Sequence, residues 1–259
     1  MSERAAPLRG RRIVVTRRPR QAGSLASLLE SRGATVVEIP AIEVSPPLDA
    51  GPLDQALRVL PRYEWLAFTS PNAVEAVRTR LDVLGIAYLP SALKVASVGR
   101  ATTAAILGAF PGIPVRLEPA DDYRAEGLLK AFADVDPRPR LVLLPSSDRA
   151  RTELLEGLRG LGVVVDNPNA YRTLVPLGLG PRLDEALKVG VDLLLLASPS
   201  AVRGLADTLG PRVVGLPVVV IGPTTADAAR DAGMRVLGVA APSTVGGLVE
   251  SAVRALGGS

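Results

Sequence analysis

The chain has 259 residues, 47% of them hydrophobic and 3% aromatic, a formal net charge of +4, and neither cysteine nor histidine. That length suits two domains of roughly 100–150 residues each, and no apolar run approaches the ~20 residues that span a bilayer. The missing residue types exclude disulfides, thiolate or imidazole metal sites, cysteine nucleophiles and histidine-dependent triads. Chemistry is left to Asp, Glu, Tyr, Ser, Thr, Lys, Arg and the backbone.

Arginine carries nearly all the positive charge, since the only lysines are Lys94, Lys130 and Lys188. The arginines are scattered rather than gathered on one helix, and aromatic rings for stacking bases are few, so no nucleic-acid partner is expected. A basic balance suits an anionic small molecule. Asp121-Asp122 reads as a solvated loop cap, and with no His or Cys to complete a ligand set no metal is expected. Behind the basic N-terminus stands only the short run Ile13–Val15, too brief for a secretion signal. A cytoplasmic protein with no membrane partner is therefore expected, and with nothing marking an oligomer interface, a monomer. The proline-rich, arginine-rich, cysteine-free make-up is that of a thermophile's protein.

Along the chain, β-branched runs alternate with amphipathic stretches, the pattern of βα units feeding parallel sheets. Strands are predicted at Arg12–Thr16, Thr35–Ile39, Trp65–Thr69, Lys94–Val98, Val115–Glu118, Arg140–Leu144, Val163–Asp166, Asp192–Ala197, Val218–Ile221 and Val236–Val239. Helical patterns lie between most of them, for example from Asn72 and from Ala201, and proline-rich breaks fall at Ile39–Pro52 and Asp134–Arg140. These strands are enough for two five-stranded sheets.

The chain repeats itself. Phe68-Thr-Ser-Pro-Asn-Ala-Val matches Leu196-Ala-Ser-Pro-Ser-Ala-Val, and Ala96-Ser-Val-Gly-Arg-Ala-Thr-Thr matches Val219-Val-Ile-Gly-Pro-Thr-Thr. Leu28-Leu-Glu-Ser-Arg-Gly-Ala-Thr-Val-Val matches Gly157-Leu-Arg-Gly-Leu-Gly-Val-Val-Val at nearly the same offset. That all βα units look alike explains one such pair, but not three in the same order.

Each strand is followed by a polar junction. These read Thr16-Arg17, Ser70-Pro71-Asn72, Gly99-Arg100-Ala101-Thr102-Thr103, Pro145-Ser146-Ser147-Asp148, Ser198-Pro199-Ser200 and Gly222-Pro223-Thr224-Thr225. In a parallel sheet they fall at the carboxyl edge, where open α/β sheets bind ligands. Each also reads as a helix start, where Ser and Thr cap amides and Pro fits the first turn. Taken singly they are caps; several helix N-termini in one cleft between two domains would bind anions. Gly99 and Gly222 would let a ligand approach the backbone closely. No junction is a Walker loop or a G-x-G-x-x-G, so nucleoside triphosphates and dinucleotides are disfavoured.

Together, Phe68-Thr-Ser-Pro-Asn-Ala-Val, Val98-Gly-Arg-Ala-Thr, Asn169-Ala-Tyr-Arg-Thr, Ala197-Ser-Pro-Ser-Ala-Val and Ile221-Gly-Pro-Thr-Thr-Ala resemble the uroporphyrinogen-III synthase family, over Arg12 to about Leu256. The resemblance implies a cofactor-free, metal-free cyclising hydro-lyase. Its substrate would be the linear tetrapyrrole hydroxymethylbilane, an octacarboxylate, closed to uroporphyrinogen III with inversion of ring D and loss of water. It also implies two flavodoxin-like domains joined by a two-stranded linker, with the active-site cleft between them. One domain would be discontinuous, residues 1–40 with 174–259, around a continuous insert at 41–173, the linker strands falling near Pro40–Val44 and Ala170–Val175. Sequence alone also allows a simple tandem cut near Pro137.

Carried over position by position, the family's important tyrosine matches Tyr171. Substrate-binding positions match Ser70, Pro71, Asn72, Arg100, Ala101, Thr102, Ser146, Ser147, Ser198, Ser200, Thr224 and Thr225, with carboxylates held largely by main-chain amides. Lysine is rare here, a departure from the family, so Arg17, Arg100 or Arg149 stand in its place. A non-enzymatic bilobal anion-binding protein shares the twin lobes and is the main alternative. A nucleotide-sugar enzyme would want acidic or His residues that are not apparent, and a DNA-binding regulator would want clustered arginines.

Overall fold

The computed structural model describes residues 6–17, 19–150 and 152–257. Its contacts divide the chain into two compact units, Met1–Glu43 with Leu174–Ser259, and Val44–Thr173. Pro137 lies inside the second.

In the first unit, strands β1 (Arg12–Val15), β2 (Thr35–Glu38), β11 (Leu193–Leu196), β12 (Pro217–Val220) and β13 (Arg235–Val239) form a five-stranded sheet in the order β13-β12-β11-β1-β2. All its pairings are parallel. Parallel strands are covered on both faces and read as unbroken apolar runs, as in the fully buried Leu193–Leu196. Helices α7 (Leu179–Val189), α8 (Pro199–Leu209) and α9 (Pro223–Asp231) contribute to one core. Helices α1 (Pro19–Glu30) and α10 (Val245–Leu256) contribute to the other.

The second unit has strands β4 (Trp65–Phe68), β5 (Lys94–Ser97), β6 (Val115–Leu117), β7 (Leu141–Leu143) and β9 (Val164–Asp166) in the order β6-β5-β4-β7-β9, again all parallel. Helices α2 (Gly51–Arg58), α3 (Pro71–Val83) and α4 (Arg100–Ala109) pack on one side. Helices α5 (Ala125–Ala133) and α6 (Glu153–Gly160) pack on the other, where the Trp65 and Phe132 rings meet edge to face at 5.3 Å.

Numbered from β1, the first sheet runs in the flavodoxin-like order 2-1-3-4-5. The second has the same spatial order once counted from β7, so its chain enters at the third strand. The halves of the sequence that repeat are therefore not the units. Each unit takes two strands from one repeat and three from the other.

The chain passes between units after Glu43 and after Thr173. Both crossings lie in a small third sheet, of order β3-β10-β8, formed by β3 (Glu43–Ser45), β8 (Ser146–Ser147) and β10 (Asn169–Leu174). Strand β10 overlaps the stretch expected at Ala170–Val175, β3 overlaps only the end of Pro40–Val44, and β8 is a third strand not expected from sequence. Its two serines look like a loop in sequence because they are short and polar.

One close approach explains a difference between the repeats. Ala76 in α3 corresponds to Gly204 in α8. A Cβ on Gly204 would run into the carbonyl oxygen of Ala41, so this helix lies too close to the chain leaving β2 to carry an alanine.

Candidate active site

In an open parallel sheet the ligand crevice lies where the strand order reverses. In the second unit that point is between β4 and β7. The β4–α3 junction is capped by Ser70, whose extended backbone (φ −160°, ψ 153°) lets its Oγ accept from the Ala73 N–H at 3.1 Å, with Pro71 in the first turn. The Ser70 Oγ lies 3.0 Å from the phenol oxygen of Tyr171. Tyr171 is 8% exposed and its ring belongs to the core beside Phe68 and Ala73. Asn72 is half-buried next to the cap.

The β7 junction departs from the sequence expectation. Pro145–Asp148 is not a helix start, because α6 begins only at Glu153. Instead Ser146 and Ser147 pair in parallel with Asn169 and Tyr171, with an irregular register between those two partners. The Asp148 N–H donates to the Tyr171 carbonyl at 3.1 Å, and the Thr173 N–H donates to Asp148 Oδ1 at 3.1 Å. This polar strand holds the backbone that carries the tyrosine.

Three expected contacts point inward. Thr102 is 3% exposed, one turn from Ile106 on the buried face of α4, and Thr225 is 3% exposed, one turn from Ala229 in α9. Residues four apart share a helix face, so both threonines lie on the core-facing side of their helices. Ser146 is 6% exposed, and its Oγ accepts from Asn167 Nδ2 at 2.9 Å. Exposed or half-buried neighbours remain at each junction: Arg100, Ala101, Ser147 and Thr224.

Helices α4 and α9 start at Gly99 and Gly222, with no side-chain cap. These glycines make room for protein rather than ligand. A Cβ on Gly99 would lie 2.8 Å from Cδ1 of Tyr123, and one on Gly222 3.2 Å from Ser243 Oγ. Tyr123 also accepts from Arg100 Nε at 3.0 Å and lies beneath its guanidinium, 5.8 Å from the ring centre. Sequence reading missed Tyr123. The signal available was a tyrosine in a polar loop after β6, at the same sheet edge as Arg100.

The first unit reverses between β11 and β1. There Ser198 caps α8 with nearly the geometry of Ser70 (φ −163°, ψ 154°; Ala201 N–H to Oγ, 3.2 Å), with Pro199 in the first turn. Ser200 Oγ accepts from Arg203 at 3.1 Å, and Arg17 is half-buried beyond β1. Thr16 donates from Oγ1 to the Leu195 carbonyl at 2.7 Å, tying the two switch strands together.

A groove in the second unit is lined by Arg62, Tyr63, Arg140, Arg159 and Asp166. The buried Tyr63 donates to Asp166 Oδ2 at 2.6 Å, and burial, then this bond, push its hydroxyl well above the usual tyrosine range.

Doubly wound parallel units with polar junctions at a switch point define a class of ligand-handling α/β protein. A family model described as Uroporphyrinogen-III synthase HemD matches residues 23–250. The chain belongs to the uroporphyrinogen-III synthase family. It is 30% identical over 228 residues to the uroporphyrinogen-III synthase of Synechococcus elongatus, covering 85% of each chain. It is also 30% identical over 253 residues to the chloroplastic uroporphyrinogen-III synthase of Oryza sativa subsp. japonica, covering 94% of this chain and 80% of the relative. In fold it is similar to a mutant uroporphyrinogen III synthase of the extremely thermophilic bacterium Thermus thermophilus, with a TM-score of 0.70 at 21% identity, covering 95% of this chain and 99% of the other. Uroporphyrinogen-III synthetase of Helicobacter pylori gives a TM-score of 0.56 at 15% identity, covering 94% and 99%.

Proposed function

We propose that this chain closes hydroxymethylbilane to uroporphyrinogen III, with Tyr171 and Ser70 assisting the loss of water. Membership of the synthase family and the 3.0 Å contact between the two side chains at the switch point carry this reading. The substrate supplies most of the electronic drive. The lone pair of the ring-A pyrrole nitrogen expels the methylene hydroxyl, which leaves as water once it gains a proton, and an azafulvene cation remains. The substituted carbon of ring D attacks this cation to give a spiro intermediate. Its fragmentation and reclosure invert ring D, and a proton is then lost.

The protein must assist the departure and hold the pose, because closure at the free position of ring D gives isomer I. This is catalysis by positioning. A phenol is a weak acid but a competent donor. Ser70 Oγ already accepts from Ala73, so its own proton is available to the Tyr171 oxygen. The tyrosine's proton is then left for the departing hydroxyl.

The substrate's carboxylates would lie against exposed or half-buried junction residues: Arg100 and Ala101, Asn72 with Pro71 beside it, and Ser147, or in the first unit Ser198, Ser200, Thr224 and Arg17. The uncapped starts of α4 and α9 favour anions through their amides and dipoles. The reading includes a monomer that needs no cofactor, membrane or nucleic acid, which light scattering and assay of the purified chain would test.

The test supplies hydroxymethylbilane, oxidises the product and separates the isomers. Isomer III above the spontaneous background is expected. An anion-binding protein without turnover would bind the substrate and leave isomer I.

A further inference from the structure

We infer that Asp148 is a positioning residue for Tyr171, an inference that rests on the reading of Tyr171 above. Strand β8 is only two residues long, and its ladder with β10 ends after Ser147 pairs with Tyr171. Two bonds from Asp148 then hold the strand at and just beyond the tyrosine. The Asp148 N–H takes the Tyr171 carbonyl, and its carboxylate Oδ1 takes the Thr173 N–H, each at 3.1 Å. In a parallel ladder that continued, the Thr173 amide would pair with a strand carbonyl. Here a side-chain oxygen replaces the missing rung.

The replacement matters because of where the chain goes next. Thr173 is the last residue of the second unit and Leu174 the first of the other segment. Without Oδ1, no hydrogen bond among the described residues would join β10 to the β8 side between the tyrosine and the unit boundary. The contact that sets the phenol is a 3.0 Å hydrogen bond to Ser70. Small displacements of a reacting group are costly in positioning catalysis, so slack in this strand would act on turnover and on the choice of isomer. Oδ1 serves as an acceptor in this role, and a carboxamide oxygen can replace it.

The experiment compares Asp148→Ala, Asp148→Asn, Tyr171→Phe and the double variant Tyr171→Phe/Asp148→Ala, reading kcat, KM, the isomer III fraction and exchange of the Thr173 amide. Asp148→Ala should lower kcat about tenfold, keep KM within about twofold, and reduce the isomer III fraction. Its Thr173 amide should exchange faster while the amides of β7 and β9 keep their protection. Asp148→Asn should restore kcat to within about twofold of the parent. The double variant should be no slower than Tyr171→Phe, because Asp148 acts through Tyr171.

Parent-like kcat and isomer ratio in Asp148→Ala would overturn the inference while a slow Tyr171→Phe left the tyrosine's role standing. A loss in Asp148→Asn equal to that in Asp148→Ala would also overturn it, since charge rather than the acceptor would then matter. If Tyr171→Phe keeps full rate, the tyrosine reading falls first. If Asp148→Ala fails to fold, the asparagine variant and its Thr173 exchange decide: parent-like values support the inference, and alanine-like exchange or a slow rate overturns it.

Discussion

The Ser70 hydroxyl and the Tyr171 phenol lie 3.0 Å apart, although the two residues are 101 positions apart in the chain. Ser70 comes from the cap of α3 and Tyr171 from β10, so the first repeat supplies one partner and the second the other. Tyr171→Phe removes the phenol proton and little else from the core. Turnover is expected to fall at least about tenfold, ~1.4 kcal/mol of transition-state stabilisation, with KM little changed. Steady-state kinetics on hydroxymethylbilane check this, and a near-normal kcat would remove Tyr171 from the mechanism.

Ser70 and Ser198 form a built-in comparison, since both cap a helix with the same backbone geometry. Replacing either with Ala should cost about 1 kcal/mol of stability, the usual worth of such a cap. Only Ser70→Ala also removes the partner of Tyr171, so it should lower kcat. Ser198→Ala should act on KM. Equal kcat values in the two variants would separate the Ser70 contact from the chemistry.

Tyr63 sets a limit at high pH. Burial and then the bond to Asp166 keep its hydroxyl protonated above the ordinary range. The unfolded chain releases this proton near pH ~10, and above that pH it binds fewer protons than the folded chain. The stabilisation is complete below that pH and is lost as pH rises. Tyr63→Phe should be less stable at neutral pH yet lose stability less steeply above pH ~10. Urea midpoints across that range are the measurement, and parallel curves would contradict the assignment.

Gly204→Ala should destabilise the chain by about 1–3 kcal/mol, because the added methyl meets the backbone carbonyl of Ala41 and one element must shift. The equivalent position in α3 already carries Ala76, packed against the core, so Ala76→Gly should cost at least about 0.5–1 kcal/mol, the helix-propensity share of the loss. Thermal melts of both variants test the contrast.

Cutting the chain after Asp136 gives two pieces that follow the sequence repeat but not the units. Each piece carries two strands of one five-stranded sheet and three of the other. Neither should fold cooperatively alone, and mixing them should restore a folded complex. Circular dichroism of each piece and of the mixture tests this. Two independently folded pieces would contradict the division of the chain.

The strands were legible because parallel strands buried on both faces leave short apolar runs such as Trp65–Phe68 and Leu193–Leu196. The predicted ranges match the ten strands of the two five-stranded sheets to within one residue at each end. The junctions were legible as helix caps at Ser70 and Ser198, because Ser followed by Pro is a local signal. Sequence alone does not give the helix phase that sets Thr102 and Thr225 in line with the buried Ile106 and Ala229. Strand β8 was hidden because its pairing depends on β10, more than twenty positions away, and not on its own composition. The roles of Asp148 and Asp166 were hidden for the same reason. An exposed-looking acid in a loop gives no sign of the amide or phenol it will meet.

The exchange of strands between the halves has a consequence for how such a chain could arise. A half-length chain of this pattern would leave both of its sheets incomplete, and a second identical copy would supply the missing strands of each. Duplication of such a gene, followed by end-to-end fusion, yields this order of elements. The parallel pairs Ile13 with Val36 and Val142 with Val165 are related by one constant offset. Applied to Tyr171, that offset falls on Ile42. The phenol thus belongs to one copy alone, so the two halves of the sequence are not interchangeable at this position.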